Sequence, residues 1–168
     1  MDTSLILWLE ENTALAIPLL IFFAFAEACF GIGLFTSGVI LLGVATVIAA
    51  NELATPIEIV IFAWLGACCG DNVGFYFGRA VGPTLLGSKF FSKYKATIQR
   101  AEQLTNRFGW GAIFFGRFIP ALRSLVPFLV GINRFPKFRY FFLDALACGL
   151  WAIALGGIVF GLNQFDIL

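Results

Sequence analysis

Between Thr13 and Ala50 lie 38 residues that carry a single charge, Glu27. As one helix they would measure about 57 Å at 1.5 Å per residue, far beyond a hydrocarbon core of ~30 Å. The run must therefore break or fold back. The break is expected in Gly31-Ile32-Gly33 or Thr36-Ser37-Gly38, where glycines weaken helix continuity. The rest of the chain is of the same character. Of its 168 residues 60% are hydrophobic and 12% charged, against roughly 45–50% and about 25% in a soluble domain. A monomer of this size hides only about 70% of the surface its unfolded chain exposes, so lipid is the solvent for much of this one. That excludes an ordinary cytosolic enzyme, a nucleic-acid binder and a disordered chain. It also bounds residues 1–168 to one domain with a few membrane passes. Histidine is absent, which excludes His-based acid–base catalysis and His-ligated metal sites.

The few charges fall in blocks. Residues 1–78 hold seven acids and no Lys or Arg, and residues 79–139 hold all eleven basic residues and one acid, Glu102. Residues 140–168 add only Asp144 and Asp166. In a membrane protein such a basic block marks the cytoplasmic side. Met1–Asn12 has no basic residue, so no signal peptide is expected, and Ser4–Glu11 reads as a short interfacial helix. Thr55-Pro56-Ile57-Glu58 has the form of a capping box with proline at the first helical position. The helix it opens is expected to stop at Gly82-Pro83. Residues 92–108 place Tyr94, Ile98, Ala101, Leu104 and Phe108 on one face and bases elsewhere, a basic amphipathic helix for the cytoplasmic surface. The segment 108–133 is flanked by bases on both sides and broken by Pro120 and Pro127, which fits a hairpin that dips in and returns. Residues 141–165 form the last span. The four cysteines have no zinc-ligand spacing and read as small packing residues, so no metal or other cofactor is expected. Trp8, Trp64, Trp110 and Trp151 suit interfacial belts, and Asp144 and Arg139 suit a helix start.

Four ionisable residues sit where charge is expensive: Glu27, Asp71, Arg117 and Arg123. A charge at bilayer depth costs at least ~2.5–3.5 kcal/mol and is normally paired or faces a cavity. Two acids and two arginines exceed what one structural pair needs, which favours a polar pocket at mid-depth. Arg117 and Arg123 flank Pro120, and a break there lets both guanidiniums converge on a phosphate or carboxylate. Glu27 and Asp71 are then countercharges in the empty state and candidate proton carriers.

Three stretches resemble the DedA family of bacterial inner-membrane proteins, whose shared region is also called the SNARE-associated or VTT domain. Gly70-Asp71-Asn72-Val73-Gly74-Phe75-Tyr76-Phe77-Gly78-Arg79-Ala80-Val81-Gly82 is similar to the family's G-D-x-x-G-Y-x-x-G-R-x-x-G stretch. Phe115-Gly116-Arg117-Phe118-Ile119-Pro120-Ala121-Leu122-Arg123 is similar to its F-x-x-R-F-x-P-x-x-R signature, with one residue fewer before the first arginine. Pro127, Gly131, Phe141, Gly149 and Trp151 follow in order. Phe25-Ala26-Glu27 resembles the acid of the first re-entrant segment, although Cys29–Gly38 lacks the proline-rich turn and second acid common in the family. The resemblance covers about residues 20–160 and is strongest over 66–152.

The resemblance implies an all-α polytopic membrane protein of the bacterial inner membrane. It would have transmembrane helices and two opposed re-entrant helical hairpins in pseudo-symmetric inverted repeats. It also implies a role in moving lipids such as undecaprenyl phosphate or phosphatidylethanolamine between leaflets. The expectation is thus a non-enzymatic lipid translocase in which Arg117 and Arg123 bind the headgroup phosphate and Glu27 and Asp71 supply countercharge or proton coupling. Gly31, Gly33, Gly38, Pro120 and Pro127 would form the hairpin breaks. Its partners would be phosphate-bearing lipids, protons and further copies of the chain, and not nucleic acid. The competing readings are a small-solute or ion transporter of the same fold, a scaffold with a structural polar core, and a lipid phosphatase. The phosphatase is disfavoured by the absent histidine and the lack of an acidic cluster for Mg²⁺.

Overall fold

The computed structural model describes residues 13–34, 38–86, 111, 113, 114, 117 and 123–164. Among these every regular element is helical. The Ser4–Glu11 helix, the amphipathic helix at 92–108 and Pro120 lie outside the described residues. The α-helices bounded among the described residues are, in order, α1 (Ala16–Ala28), α2 (Gly38–Ala50), α3 (Pro56–Leu86), α4 (Leu125–Ile132) and α5 (Lys137–Gln164).

The long apolar run breaks where its glycines are. Cys29 is extended, Gly31 has φ +85°, and a short 3₁₀ turn at Ile32–Leu34 follows. A positive φ of that size is free for glycine and strained for other residues. The resulting helices α1 and α2 have 13 residues each, or about 20 Å of helix, short of a ~30 Å hydrocarbon core. The chain folds back through this break, so α2 returns along α1. Ala16, Leu20 and Ala24 share one buried cluster with Leu41, Ala45 and Ile48.

Two helices are long and apolar enough to cross a membrane, Pro56–Gly82 within α3 and Lys137–Gly161 within α5. The start of α3 is set by the expected capping box. The Thr55 backbone N–H donates to Glu58 Oε2 at 2.7 Å, and the Glu58 N–H donates to Thr55 Oγ1 at 3.3 Å. Its end corrects the sequence reading: Gly82-Pro83 does not stop the helix, which continues to Leu86. A proline there forgoes one backbone bond, and Gly82 before it, lacking Cβ, relieves the crowding a proline imposes on its predecessor. α5 runs back antiparallel to α3, with Gly156 beside Val60, the Trp64 indole donating to the Ala145 carbonyl at 2.9 Å, and Phe75 stacked on Tyr140.

What fits the remaining helices to α3 is a row of glycines at four-residue steps: Gly66, Gly70, Gly74, Gly78 and Gly82. Residues four apart share a helix face. A Cβ on Gly66 would lie 2.6 Å from the Ile21 carbonyl, and one on Gly70 would lie 2.5 Å from that of Phe25. α1 therefore rests backbone to backbone on the first half of the stripe. A Cβ on Gly78 would lie 2.1 Å from the Phe128 carbonyl, and one on Gly82 would lie 3.1 Å from the Ile132 Cα, so α4 rests on the second half. Gly131 of α4 answers in kind, since its Cβ would lie 2.1 Å from the Phe75 carbonyl. Contacts advance in the same direction along both pairs, so α1 and α4 each run parallel to α3. The C-terminal end of α1 meets the N-terminal end of α4 beside Gly74, which lies between Phe30 and Pro127. The stack of Phe30 on Phe128, with centroids 3.9 Å apart, closes the joint.

The surface is inverted relative to a soluble protein. Phe142, Leu146, Leu150 and Ile153 of α5 are all exposed, while Asp144 of the same helix is buried. The same holds for α3, where Leu65, Val73 and Phe77 face outward and Asp71 is fully buried. Large apolar side chains outside and carboxylates inside are what a lipid solvent selects.

Candidate functional site

The charged side chains gather where α1 and α4 meet across α3. Glu27 lies in the last turn of α1 and is buried, and the backbone packs closely around it. A Cβ on Gly33 would lie 2.2 Å from its carbonyl oxygen, and one on Gly38 would lie 2.8 Å from its Oε1. These two glycines therefore fold the chain over the carboxylate, while Gly31 supplies the turn. Arg123 stands just ahead of α4. Its Nη1 pairs with Glu27 Oε1 and its Nη2 donates to the Glu27 backbone carbonyl at 3.0 Å. One guanidinium thus holds the acid and also a carbonyl in the last turn of α1, where a cation is favoured.

Asp71 sits near the middle of α3 and is completely buried. Arg117 Nη1 pairs directly with Asp71 Oδ2. The same nitrogen lies 3.8 Å from Asp144 Oδ1 on α5. The two arginines are also neighbours through a third residue, for each guanidinium carbon lies 5.6 Å from the centroid of the Trp151 ring. An indole face attracts guanidinium cations through its quadrupole. Trp151 therefore belongs to the cluster of charged side chains. The Trp64 indole is engaged with the Ala145 carbonyl between α3 and α5.

Of the residues singled out from the sequence, Glu27 is placed on Arg123 and Asp71 on Arg117, with both arginines flanking Trp151. Pro127 does not break a helix: it lies in the first turn of α4, where proline is tolerated, with Ser124 just ahead of that helix. Asp144 departs most from expectation. Its carboxylate was assigned to a helix start at the interface, yet it is 3% exposed and faces Arg117. The signal was available: Tyr140, Asp144, Cys148 and Trp151 follow the i, i+4, i+8, i+11 pattern that puts them on one face of α5.

The layer holds more hydrogen-bonding capacity than its members use. Arg117 Nε, Arg123 Nε, Ser124 Oγ, Glu27 Oε2, Asp71 Oδ1 and Asp144 Oδ2 are buried with no hydrogen-bond partner among the described residues. Buried donors without partners carry a desolvation cost, and guanidinium and hydroxyl donors are the types that an oxyanion accepts from. A metal is a poorer match. Cys68 Sγ, Cys148 Sγ and an Asp144 oxygen lie within 4.8 Å of one another, but Arg117 already stands against Asp144 and would repel a metal cation there. The Cys148 thiol instead lies 3.6 Å from Asp71 Oδ2 as a donor.

Comparison with known proteins agrees with this architecture. The family model described as the VTT domain matches residues 17–161. The inner membrane protein YabI of Escherichia coli is 26% identical over 149 residues, covering 86% of this chain and 57% of that protein. An uncharacterized membrane protein of Mycobacterium tuberculosis is 30% identical over 139 residues, covering 79% of this chain and 57% of that one. A second from the same species is 33% identical over 154 residues, covering 86% and 71%. The chain thus spans somewhat over half the length of several curated relatives it matches. No solved structure matches it. With a matching family model along most of its length and relatives named as membrane proteins, the chain is a membrane protein and belongs to the VTT-domain, or DedA, family.

Proposed function

We propose that this protein moves a phosphate-bearing lipid between the leaflets of a bacterial inner membrane, with Arg117 and Arg123 receiving the headgroup. The observation that carries the reading is the approach of both guanidiniums to one indole ring, 5.6 Å each, with each cation held by a buried carboxylate. A phosphate can exchange with those carboxylates one oxygen at a time, so the arginines remain paired throughout. An anion that replaces Glu27 or Asp71 keeps the layer's charge compensated at mid-depth, where an unpaired charge is most costly. The unpartnered donors Arg117 Nε, Arg123 Nε and Ser124 Oγ add capacity for the headgroup oxygens.

In this reading α1 and α2 form one re-entrant hairpin and α4 is an arm of the other, with the ends of α1 and α4 meeting on α3. Short helices ending at mid-depth and meeting head to tail are a recurrent plan in transporters, because helix termini and open backbone there can line a cavity. The glycine stripe supports movement as well as packing, since contacts without side chains let α1 and α4 slide on α3 without meshed ridges in the way. Undecaprenyl phosphate and phosphatidylethanolamine both carry the required phosphate.

The test is leaflet exchange of a fluorescent phosphate-bearing lipid in vesicles containing the purified protein. Arg117→Lys and Arg123→Lys keep the charge but lose the planar two-donor fork. Transfer reduced by both substitutions in protein that remains folded supports headgroup recognition. Unchanged transfer in both would leave the arginines as structural pairs in a scaffold, and movement of small anions with no lipid transfer would favour a solute transporter.

A further inference from the structure

Charge is not balanced evenly between the two arginines. Arg123 faces one carboxylate, Glu27, whereas Arg117 faces two, Asp71 and Asp144. With every group ionised, the three acids and two arginines leave one surplus negative charge inside the membrane layer. Among the described residues, the groups packed around Asp144 offer no second cation for it. Its own helix contributes Tyr140 and Cys148 beside the carboxyl. α3 contributes Asp71 and Cys68. α2 and α4 carry no titratable residue, and the acid of α1, Glu27, is taken by Arg123. Asp144 Oδ2 is buried with no hydrogen-bond partner among the described residues.

We propose that Asp144 is a proton-binding site that sets the charge of the Arg117 pocket, so that the headgroup binds only when the proton is present. Asp71 is in direct contact with the guanidinium and also lies within reach of the Cys148 thiol. Asp144 stands farther off, 3.8 Å from the same nitrogen. Of two carboxyls sharing one cation, the less closely paired one takes the proton. Protonated Asp144 leaves a neutral Arg117–Asp71 pair that a phosphate can enter. Ionised Asp144 turns Arg117 into the centre of two carboxylates, and the surplus charge repels an anionic headgroup. The proton comes from water and returns to water, and no covalent bond changes apart from the O–H. This rests on the headgroup reading of Arg117 and adds to it the residue that couples binding to pH.

Two measurements separate the parts of the proposal. The first is infrared spectroscopy of the purified protein, following the carbonyl stretch of a protonated carboxylic acid. The wild type is expected to show that band in acidic buffer and lose it on alkaline titration. Asp144→Glu should shift the band, while Asp71→Glu leaves it in place. No band at any pH, or a band that moves only with Asp71→Glu, overturns the assignment. The second is leaflet exchange of the fluorescent phosphate-bearing lipid across the same pH range. Wild-type transfer should fall as pH rises, approaching about tenfold per unit beyond the titration point. The Asp144→Asn profile should be flat, whatever its level. A wild-type fall that Asp144→Asn reproduces overturns the coupling. If no variant transfers lipid but the band titrates and shifts with Asp144→Glu, the headgroup reading fails and the proton site stands. If transfer proceeds without pH dependence and no band exists, the reverse holds.

Discussion

Arg117 and Arg123 are two solutions to one problem, a guanidinium inside an apolar helical protein, and they differ in what each arginine ties together. Arg123 grips one residue twice, through the carboxylate and the backbone carbonyl of Glu27, and so fastens the end of α1 to the approach to α4. Arg117 grips two residues on two long helices, Asp71 of α3 and Asp144 of α5. The first is a local clamp at the joint between two short helices. The second is a cross-brace between the two long apolar helices, and it carries the surplus acid. Burial follows the same division, with 12% of the Arg123 side chain exposed against 4% for Arg117.

Removing the two arginines should therefore have unequal effects. Arg117→Ala leaves Asp71 and Asp144 facing each other with no cation, and breaking a buried pair by removing one partner costs roughly 3–5 kcal/mol. Arg123→Ala strands only one carboxylate, Glu27, and should cost less. Thermal unfolding in detergent should show the larger drop for Arg117→Ala, with partial recovery when Asp71→Asn is added to it. Equal drops for the two single variants, or no recovery in the double one, would mean that the second acid has no energetic consequence.

Much of this plan was legible in the sequence. Glu27, Asp71, Arg117 and Arg123 stood out because ionised residues are rare in apolar runs, and Gly31 and Gly33 because a 38-residue apolar segment must break somewhere. The capping box at Thr55 and Glu58 was readable because it depends on four adjacent residues. Asp144 was missed because it stands five residues from Arg139, and a charge close to a basic flank looks interfacial. Its depth is set by the antiparallel register of α5 on α3, which no local pattern records. The stripe from Gly66 to Gly82 was written in the sequence at intervals of four, yet only packing reveals that it seats two different helices on its two halves.

That division of the stripe sets a second comparison, the α1 half against the α4 half. Gly70→Val and Gly78→Val both force a side chain against a facing carbonyl, at 2.5 and 2.1 Å for the Cβ alone. Neither backbone can retreat without moving a helix, so each should cost roughly 1–3 kcal/mol or more. Gly78→Val should be the worse, because Gly131 already brings α4 equally close from the other side. Gly157→Val, where a Cβ meets nothing within 4 Å, is the control and should leave unfolding temperature unchanged. Cysteine cross-linking between α1 and α3, and between α3 and α4, would show whether only the substituted half is displaced.

Trp151 is where the two arginine sites meet, so it tests whether they act as one layer. Trp151→Leu keeps an apolar side chain and removes the ring face from both guanidiniums. At about 0.5–1 kcal/mol for each cation–π contact, the loss from the two together should be on the order of 1–2 kcal/mol. In double-mutant cycles its coupling to Arg117→Ala and to Arg123→Ala should be similar, because both guanidinium carbons stand 5.6 Å from the ring. Coupling to one arginine alone would separate the sites that the indole joins.

The smallest expected effect lies outside the charged layer and calibrates the others. Thr55 opens α3 by accepting from the Glu58 N–H, while Glu58 accepts from Thr55 in return. Thr55→Ala removes the hydroxyl side of that exchange, and loss of such a cap costs typically about 1 kcal/mol. The cap lies at the end of α3 that α1 covers, far along the helix from Gly78 and Gly82, so fraying there should loosen the α1 half first. Hydrogen exchange should rise in the first turn of α3 and leave α4 as protected as before. If exchange rises equally along all of α3, the helix opens as one unit. The two halves of its glycine face would then share a single stability, and differences between Gly70→Val and Gly78→Val would reflect local crowding alone.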